Sequence, residues 1–133
     1  MVYLIEGSRT AFGAFGGSFL NTTDVDLGVA VTKEALKRSN VKPEQIDEII
    51  FGNIIHTGTN SAYLSRHIGL NSGLREDSTA LTVNRLCGSS LQAIVSGAQS
   101  ILLGDANIIV AGGTENMSRA PFVLRGARFS NPN

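Results

Sequence analysis

The chain is poor in the residues that most readily announce a chemistry. It has one cysteine, Cys87, in 133 residues. That excludes an internal disulfide, a Cys-x-x-Cys redox pair and a zinc site built from several thiolates. There is no tryptophan, and the two histidines, His56 and His67, stand apart from each other. Asp24, Asp26, Glu44, Asp47, Glu48, Glu76 and Asp77 are spread over caps and turns, so neither a carboxylate pair nor a metal-ligand cluster stands out; the expectation is no metal. Charge of one sign is also lacking. Eleven basic residues balance eleven acidic ones, which gives no broad attraction to nucleic acid or to an anionic membrane. No uninterrupted apolar run approaches the ~18 residues of a membrane span. The opening MVYLIEGSRT has no basic n-region and too short an apolar core for a signal peptide, so a cytoplasmic location is expected.

What is present is a pattern of alternating strands and helices. Val2–Ile5 is a short β-branched and aromatic run that reads as a strand buried on both faces. The glycine-rich GSRTAFGAFGGSF behind it reads as a loop. It lacks the Gly-Lys-Ser/Thr of a phosphate-binding P-loop and does not match Gly-x-Gly-x-x-Gly. Thr23 or Asp24 caps a helix that runs to about Ser39, with Leu27, Ala30, Val31 and Ala35 on one face and Asn40 at its left-handed end. Glu48–Ile55 reads as a central strand, with Gly52 marking a bulge or a close backbone approach. A short helix from Asn60 or Ser61 to about Leu70, a strand over Thr79–Val83, a long helix from Gly88 to Leu103 and a strand over Asn107–Gly113 complete a β-α-β-α-β-α-β order. That order predicts an α/β fold with a mostly parallel sheet flanked by helices. The long helix carries Leu91, Ile94, Val95, Ala98, Ile101 and Leu102 on a broad face and is expected to be deeply buried. Residues 1–118 form one domain in this reading. Residues 119–133, with Arg119, Arg125 and Arg128 and no acid, are either a solvated tail or an anion-contacting start of an incomplete second unit.

Cys87 is the candidate reactive residue. Free cysteine is usually a small buried hydrophobe. This one lies just past the carboxyl end of a strand, where open α/β sheets bind ligands. It also lies at the amino end of the longest helix, where unpaired N–H groups and the helix dipole stabilise an anion. Thiolate is the nucleophilic form of cysteine, and Gly88 leaves room for a sharp strand-to-helix turn. An inert packing cysteine and a nucleophile that attacks a carbonyl both fit these residues. His56 ends a strand on the same side and is the more plausible base of the two histidines; His67, mid-helix, suits a surface or packing role.

Three separated motifs resemble one family. VNRLCGSSLQA followed by GDANIIVAGGTENMSRAPF, GSRTAFGAFGGSF near the start, and KEALKRSNVKPEQIDEIIFGNII between them resemble the thiolases: the acetyl-CoA acetyltransferases and 3-ketoacyl-CoA thiolases. The resemblance runs from Val2 to the end and covers the N-terminal half of such a protein. It implies one half of a duplicated α-β-α-β-α sandwich. It also implies acyl transfer between CoA thioesters: either two acetyl-CoA condense to acetoacetyl-CoA, or CoA cleaves a 3-ketoacyl-CoA. Cys87 then carries the acyl group and its backbone N–H serves as an oxyanion donor. No metal or redox cofactor is implied beyond the CoA substrates, acetyl-CoA or 3-ketoacyl-CoA. A homodimer or homotetramer is expected. The family's Gly-His-Pro histidine, its Asn-Glu-x-x-Ala motif and its second, basic cysteine do not occur here, so the base is expected from sequence outside this chain. Ser90 stands where the family usually has glycine. Two alternatives stay open: a catalytically incomplete half that folds and associates with a C-terminal half, and a ketoacyl-synthase-like condensing enzyme, which the Thr114–Ser118 stretch disfavours.

Overall fold

A computed structural model of the protein describes residues 1–128. Three helices and three strands alternate along the chain: α1 (Asp24–Ser39), β1 (Glu48–Gly52), α2 (Leu64–Asn71), β2 (Thr79–Val83), α3 (Ser89–Leu103) and β3 (Ile109–Gly113). Short 3₁₀ turns stand at Pro43–Gln45, Ser61–Tyr63 and Met117–Arg119.

The α1 boundaries follow from local chemistry. Thr23 Oγ1 accepts the Asp26 N–H at 3.0 Å, and the Asp26 carboxylate accepts the Thr23 N–H in return. This reciprocal cap satisfies two N–H groups that the first helical turn would leave open. Asn40 ends the helix at φ 54°, and Lys37 and Arg38 occupy the last turn, where cations offset the negative end of the dipole.

The strands form a parallel sheet in the order β2-β1-β3, with Ile50 opposite both Leu81 and Ala111. β1 is central, as its apolar run predicts, and Ile49, Ile50 and Phe51 are fully buried. Successive strand residues point to opposite faces. Ile49 and Phe51 join Leu36 of α1, Leu64 and Ile68 of α2, Ile46 and Leu74 in the main core. The other face carries α3, whose Gly97 lies against Ile109 and Ala111 of β3. Asp47, just before β1, accepts the N–H groups of Asn107 and Ile108 at 2.8 and 3.2 Å and so pins the entry of β3 beside it.

Three expectations are corrected. Val2–Ile5 is not a strand. Tyr3, Leu4 and Ile5 are largely exposed, and the segment joins no ladder among the described residues, so its apolar side chains have no sheet face to cover. The α1 face is offset. Asp24, Gly28, Thr32 and Leu36 are its buried residues, Ala30 is exposed, and Leu27, Val31 and Ala35 border an open cavity instead. The long helix α3 is not deeply buried. Only Ser89, Ala93 and Gly97 are enclosed, while Leu91 is 66% and Leu102 67% exposed. Small residues let α3 lie close on the sheet, and Leu91, Leu102 and Leu103 are left exposed. The stretch Leu86–Leu103 is long and apolar enough by composition to cross a membrane. It is not an uninterrupted apolar run, because Gln92, Gln99 and four serines break it up.

Smaller differences concern element ends. The central strand stops at Gly52 rather than Ile55, and the second helix begins as a 3₁₀ turn with no side-chain cap from Asn60. Thr79–Val83 agrees with its predicted bounds. The expected domain division falls just before Arg119, in the 3₁₀ turn Met117–Arg119. Residues 129–133 of the expected second unit lie outside the described residues.

Candidate active site around Cys87

The site is built on the carboxyl ends of the three strands. β2 stops at Val83, and the chain turns sharply through Asn84–Gly88 into α3. Leu86 adopts φ 50°, a left-handed conformation that costs a non-glycine residue about 1–2 kcal/mol. Such strain persists only where surrounding bonds over-determine it, and here they do. The Asn84 Oδ1 accepts the Leu86 N–H at 3.1 Å, and the Leu86 carbonyl accepts both the Ser89 N–H at 3.0 Å and the Ser89 hydroxyl at 2.6 Å. Ser89 Oγ accepts the Arg85 N–H at 2.8 Å. Ser89 is buried, so one enclosed hydroxyl ties both sides of the turn together.

Cys87 sits on the crest of this turn, free and exposed. Cys87 and Arg85 form an isolated bridge across the turn, and the Gly88 N–H donates to the Arg85 carbonyl at 3.1 Å. Gly88, next to Cys87, gives α3 no side-chain cap, so the positive end of the helix is left open beside the thiol. The start of α3 is seated directly on the ends of β1 and β3 by glycines. A Cβ on Gly52 would lie 2.6 Å from Ser89 backbone, and one on Gly113 would overlap the Ser90 hydroxyl. The expected role of Gly52 as a point of close backbone approach is therefore met, with Gly52 ending the strand rather than bulging it.

Cys87 opens onto a cavity of about 1050 Å³ that reaches past Ser90, Gly113, Thr114 and Met117 to the N-terminal segment. The cavity rim is fixed by a residue that sequence reasoning left without a role. The Glu115 carboxylate accepts the N–H groups of Ile54 and Ile55, both at 2.9 Å, and an Asn53 side-chain N–H at 3.1 Å. This clamps the segment after β1 to the segment after β3. Asn116 does the same for the glycine-rich loop, donating to the carbonyls of Phe19 and Thr22 at 2.8 and 2.6 Å. The Ser118 hydroxyl accepts the Gly16 N–H at 2.9 Å. An acid and an amide two and three residues past a Gly-Gly strand end were the only signal available for these clamps.

The structure does not bring either histidine to Cys87. His56 is exposed and His67 lies in α2, and neither lines the cavity. Among the described residues no group of three or more His, Cys, Asp or Glu side chains gathers to hold a metal.

Residues 2–131 match the family model described as the thiolase N-terminal domain. The chain is 48% identical over 128 residues to a beta-ketothiolase of Cupriavidus necator and 43% identical to the human mitochondrial 3-ketoacyl-CoA thiolase. Each alignment covers 96% of this chain and 32% of the relative, so the chain spans about a third of the length of the curated relatives it matches. The solved structure of human mitochondrial 3-ketoacyl-CoA thiolase in complex with CoA superposes with a TM-score of 0.94 at 42% identity, over 96% of this chain and 32% of that one.

Proposed function

Because the chain belongs to the thiolase family, we propose that it supplies the nucleophile and the oxyanion donor of an enzyme that transfers acyl groups between CoA thioesters. The supporting observation is the turn at Cys87: an exposed thiol, held on a crest by strained Leu86, with the uncapped end of α3 beside it.

In this reading the Cys87 thiolate attacks the thioester carbonyl carbon. The carbonyl oxygen becomes an oxyanion that the Cys87 N–H stabilises. The bond to the CoA sulfur then breaks, CoA leaves as a thiolate, and the acyl group stays on Cys87 as a thioester. In the second half-reaction the acyl group passes to a second thioester or back to CoA. The substrates are acetyl-CoA or a 3-ketoacyl-CoA. The family resemblance puts the base that takes the Cys87 proton outside this chain, and neither His56 nor His67 lines the cavity.

A second reading has a specific observation in its favour. Leu91, Val95, Leu102 and Leu103 of α3 are all substantially exposed, an apolar surface suited to burial against the remainder of a longer protein or a second subunit. A homodimer or homotetramer, and dependence of turnover on a C-terminal half, belong to this reading. A cytoplasmic setting remains part of the proposal. Family membership leaves the ketoacyl-synthase alternative without support.

The test is intact-mass analysis after incubation with acetyl-CoA and with acetoacetyl-CoA, with Cys87→Ala as the control. An acetyl adduct on the parent chain and none on the variant is expected if nucleophile and oxyanion donor suffice. A folded chain that takes no adduct alone, but takes one at Cys87 when the rest of a thiolase is supplied, supports the second reading. An adduct that survives Cys87→Ala overturns both.

A further inference from the structure

A second pocket lies at the opposite end of the strands from Cys87. It is bounded by the end of α1, the α1–β1 connection and the residue after α2, and its volume is about 350 Å³. Cys87 follows the carboxyl end of β2, whereas this pocket precedes β1, so the length of a five-residue strand, ~16 Å, separates the two. The chain contains three lysines, Lys33, Lys37 and Lys42, and all three line this one pocket. Among the described residues no acidic side chain lines it. The ion pairs among the described residues all use arginine: Arg38 with Glu34, and Arg75 with Asp47 and Asp77. No lysine forms an ion pair among the described residues, although the charge of Lys37 reaches Glu34 on the same helix.

The dipole of α1 explains a cation at Lys37, in the last helical turn. It does not explain Lys42, which lies beyond the helix, nor the group beneath them. Ser72, 4% exposed, lines the same pocket. Its hydroxyl is buried with no hydrogen-bond partner, an arrangement that costs about 1–3 kcal/mol unless something completes it. Three lysines and an unsatisfied hydroxyl lining one pocket suit a tetrahedral oxyanion. Leu36, Val41 and Pro43 supply apolar walls, which suit a short organic group attached to it.

We propose that this pocket is a second ligand site, independent of the acyl-transfer reading, that binds a phosphate group held by Lys33, Lys37, Lys42 and Ser72. Free phosphate and a small phosphate monoester share that chemistry.

The test is calorimetric titration of the intact protein with inorganic phosphate and, separately, with glycerol 3-phosphate, against sodium chloride at matched ionic strength. Saturable binding is expected. Affinity falls about tenfold in a Lys37→Ala/Lys42→Ala variant and about threefold in Ser72→Ala, and is retained in Lys37→Arg/Lys42→Arg. Tighter binding of the ester assigns the site to a phosphate monoester; equal or weaker binding assigns it to free phosphate. Heats that match sodium chloride, or affinity unchanged in the double alanine variant, overturn the proposal. Both lysines are exposed, so the double variant is expected to fold, and an unchanged melting midpoint establishes that it has.

Discussion

Replacing Gly52 with alanine tests how the site is held. The added methyl would lie 2.6 Å from the Ser89 carbonyl carbon and Cβ and 2.7 Å from the Ser90 nitrogen. Carbon atoms in ordinary contact stand about 3.5–4.0 Å apart, so the first turn of α3 must retreat by about 1 Å. The atoms in the way are mostly backbone at the seat of a helix, not the end of a side chain that can rotate aside. Overpacking costs about 1–3 kcal/mol, and this contact belongs at the upper end. At about 2–4 °C per kcal/mol, Gly52→Ala is expected to lower the melting midpoint by roughly 10 °C. The retreat also carries Cys87 with it, and a displacement of about 1 Å costs about 100-fold in a rate that depends on alignment. The assay is thermal unfolding by circular dichroism together with the rate of Cys87 acylation by intact mass. Gly7→Ala is the control, since a methyl there meets nothing within 4 Å. A Gly52→Ala protein with the parent midpoint and acylation rate would refute the claim that strand-end glycines seat α3 and set the position of the thiol.

Other perturbations test the scaffold. The Asn107 and Ile108 N–H groups, in that order, hold the Asp47 carboxyl below the ordinary aspartate value of 3.8. A depressed folded-state pKa gives stability that is complete above the unfolded value and is lost as pH falls through the folded one. Asp47→Ala should therefore lose about 1–2 kcal/mol at pH 7, discounted for partial exposure, and this gap should close as urea melts are taken below pH 3.8. Thr23→Ala removes the reciprocal cap of α1 and should cost about 1 kcal/mol in the same melts. Glu115→Gln halves the acceptor capacity of the clamp after β3. Hydrogen exchange at Ile54 and Ile55 should then speed up while that of β1 stays unchanged; equal protection in both proteins would show that the clamp is dispensable.

The α/β alternation was legible because it rests on local signals. The Thr23 cap, the left-handed Asn40 and Gly104, and the apolar runs of β1 and β2 each fix an element from its own residues. Cys87 was legible for the same reason, since a lone cysteine between a strand and a helix is visible in one dimension. What could not be read depends on what lies across the fold. Val2–Ile5 has the composition of a strand, but a strand needs a neighbour, and its sequence does not say whether one is in reach. The Leu91 and Leu102 face of α3 has the pattern of a buried helix, and periodicity reports an apolar face without saying what covers it. Leu86 gives no hint of its positive φ, which the Asn84 and Ser89 bonds impose. Glu115 reads as a surface acid until the segment after β1 arrives beside it.

The strand order carries a consequence for synthesis. β1 is the central strand, yet it precedes both of its neighbours in the chain. Ile49, Ile50 and Phe51 leave the ribosome with no ladder to join until residues 79–83 and then 109–113 follow. At about 5–20 residues per second, one edge of the most apolar strand waits roughly 3–12 s for β3. During that interval α1 and then α2 cover one face, and α3 reaches the other only shortly before β3 itself. The nascent chain therefore passes through a window in which an unpaired, aggregation-prone edge is exposed, and the speed of translation between Gly52 and Ile109 sets how long that window stays open.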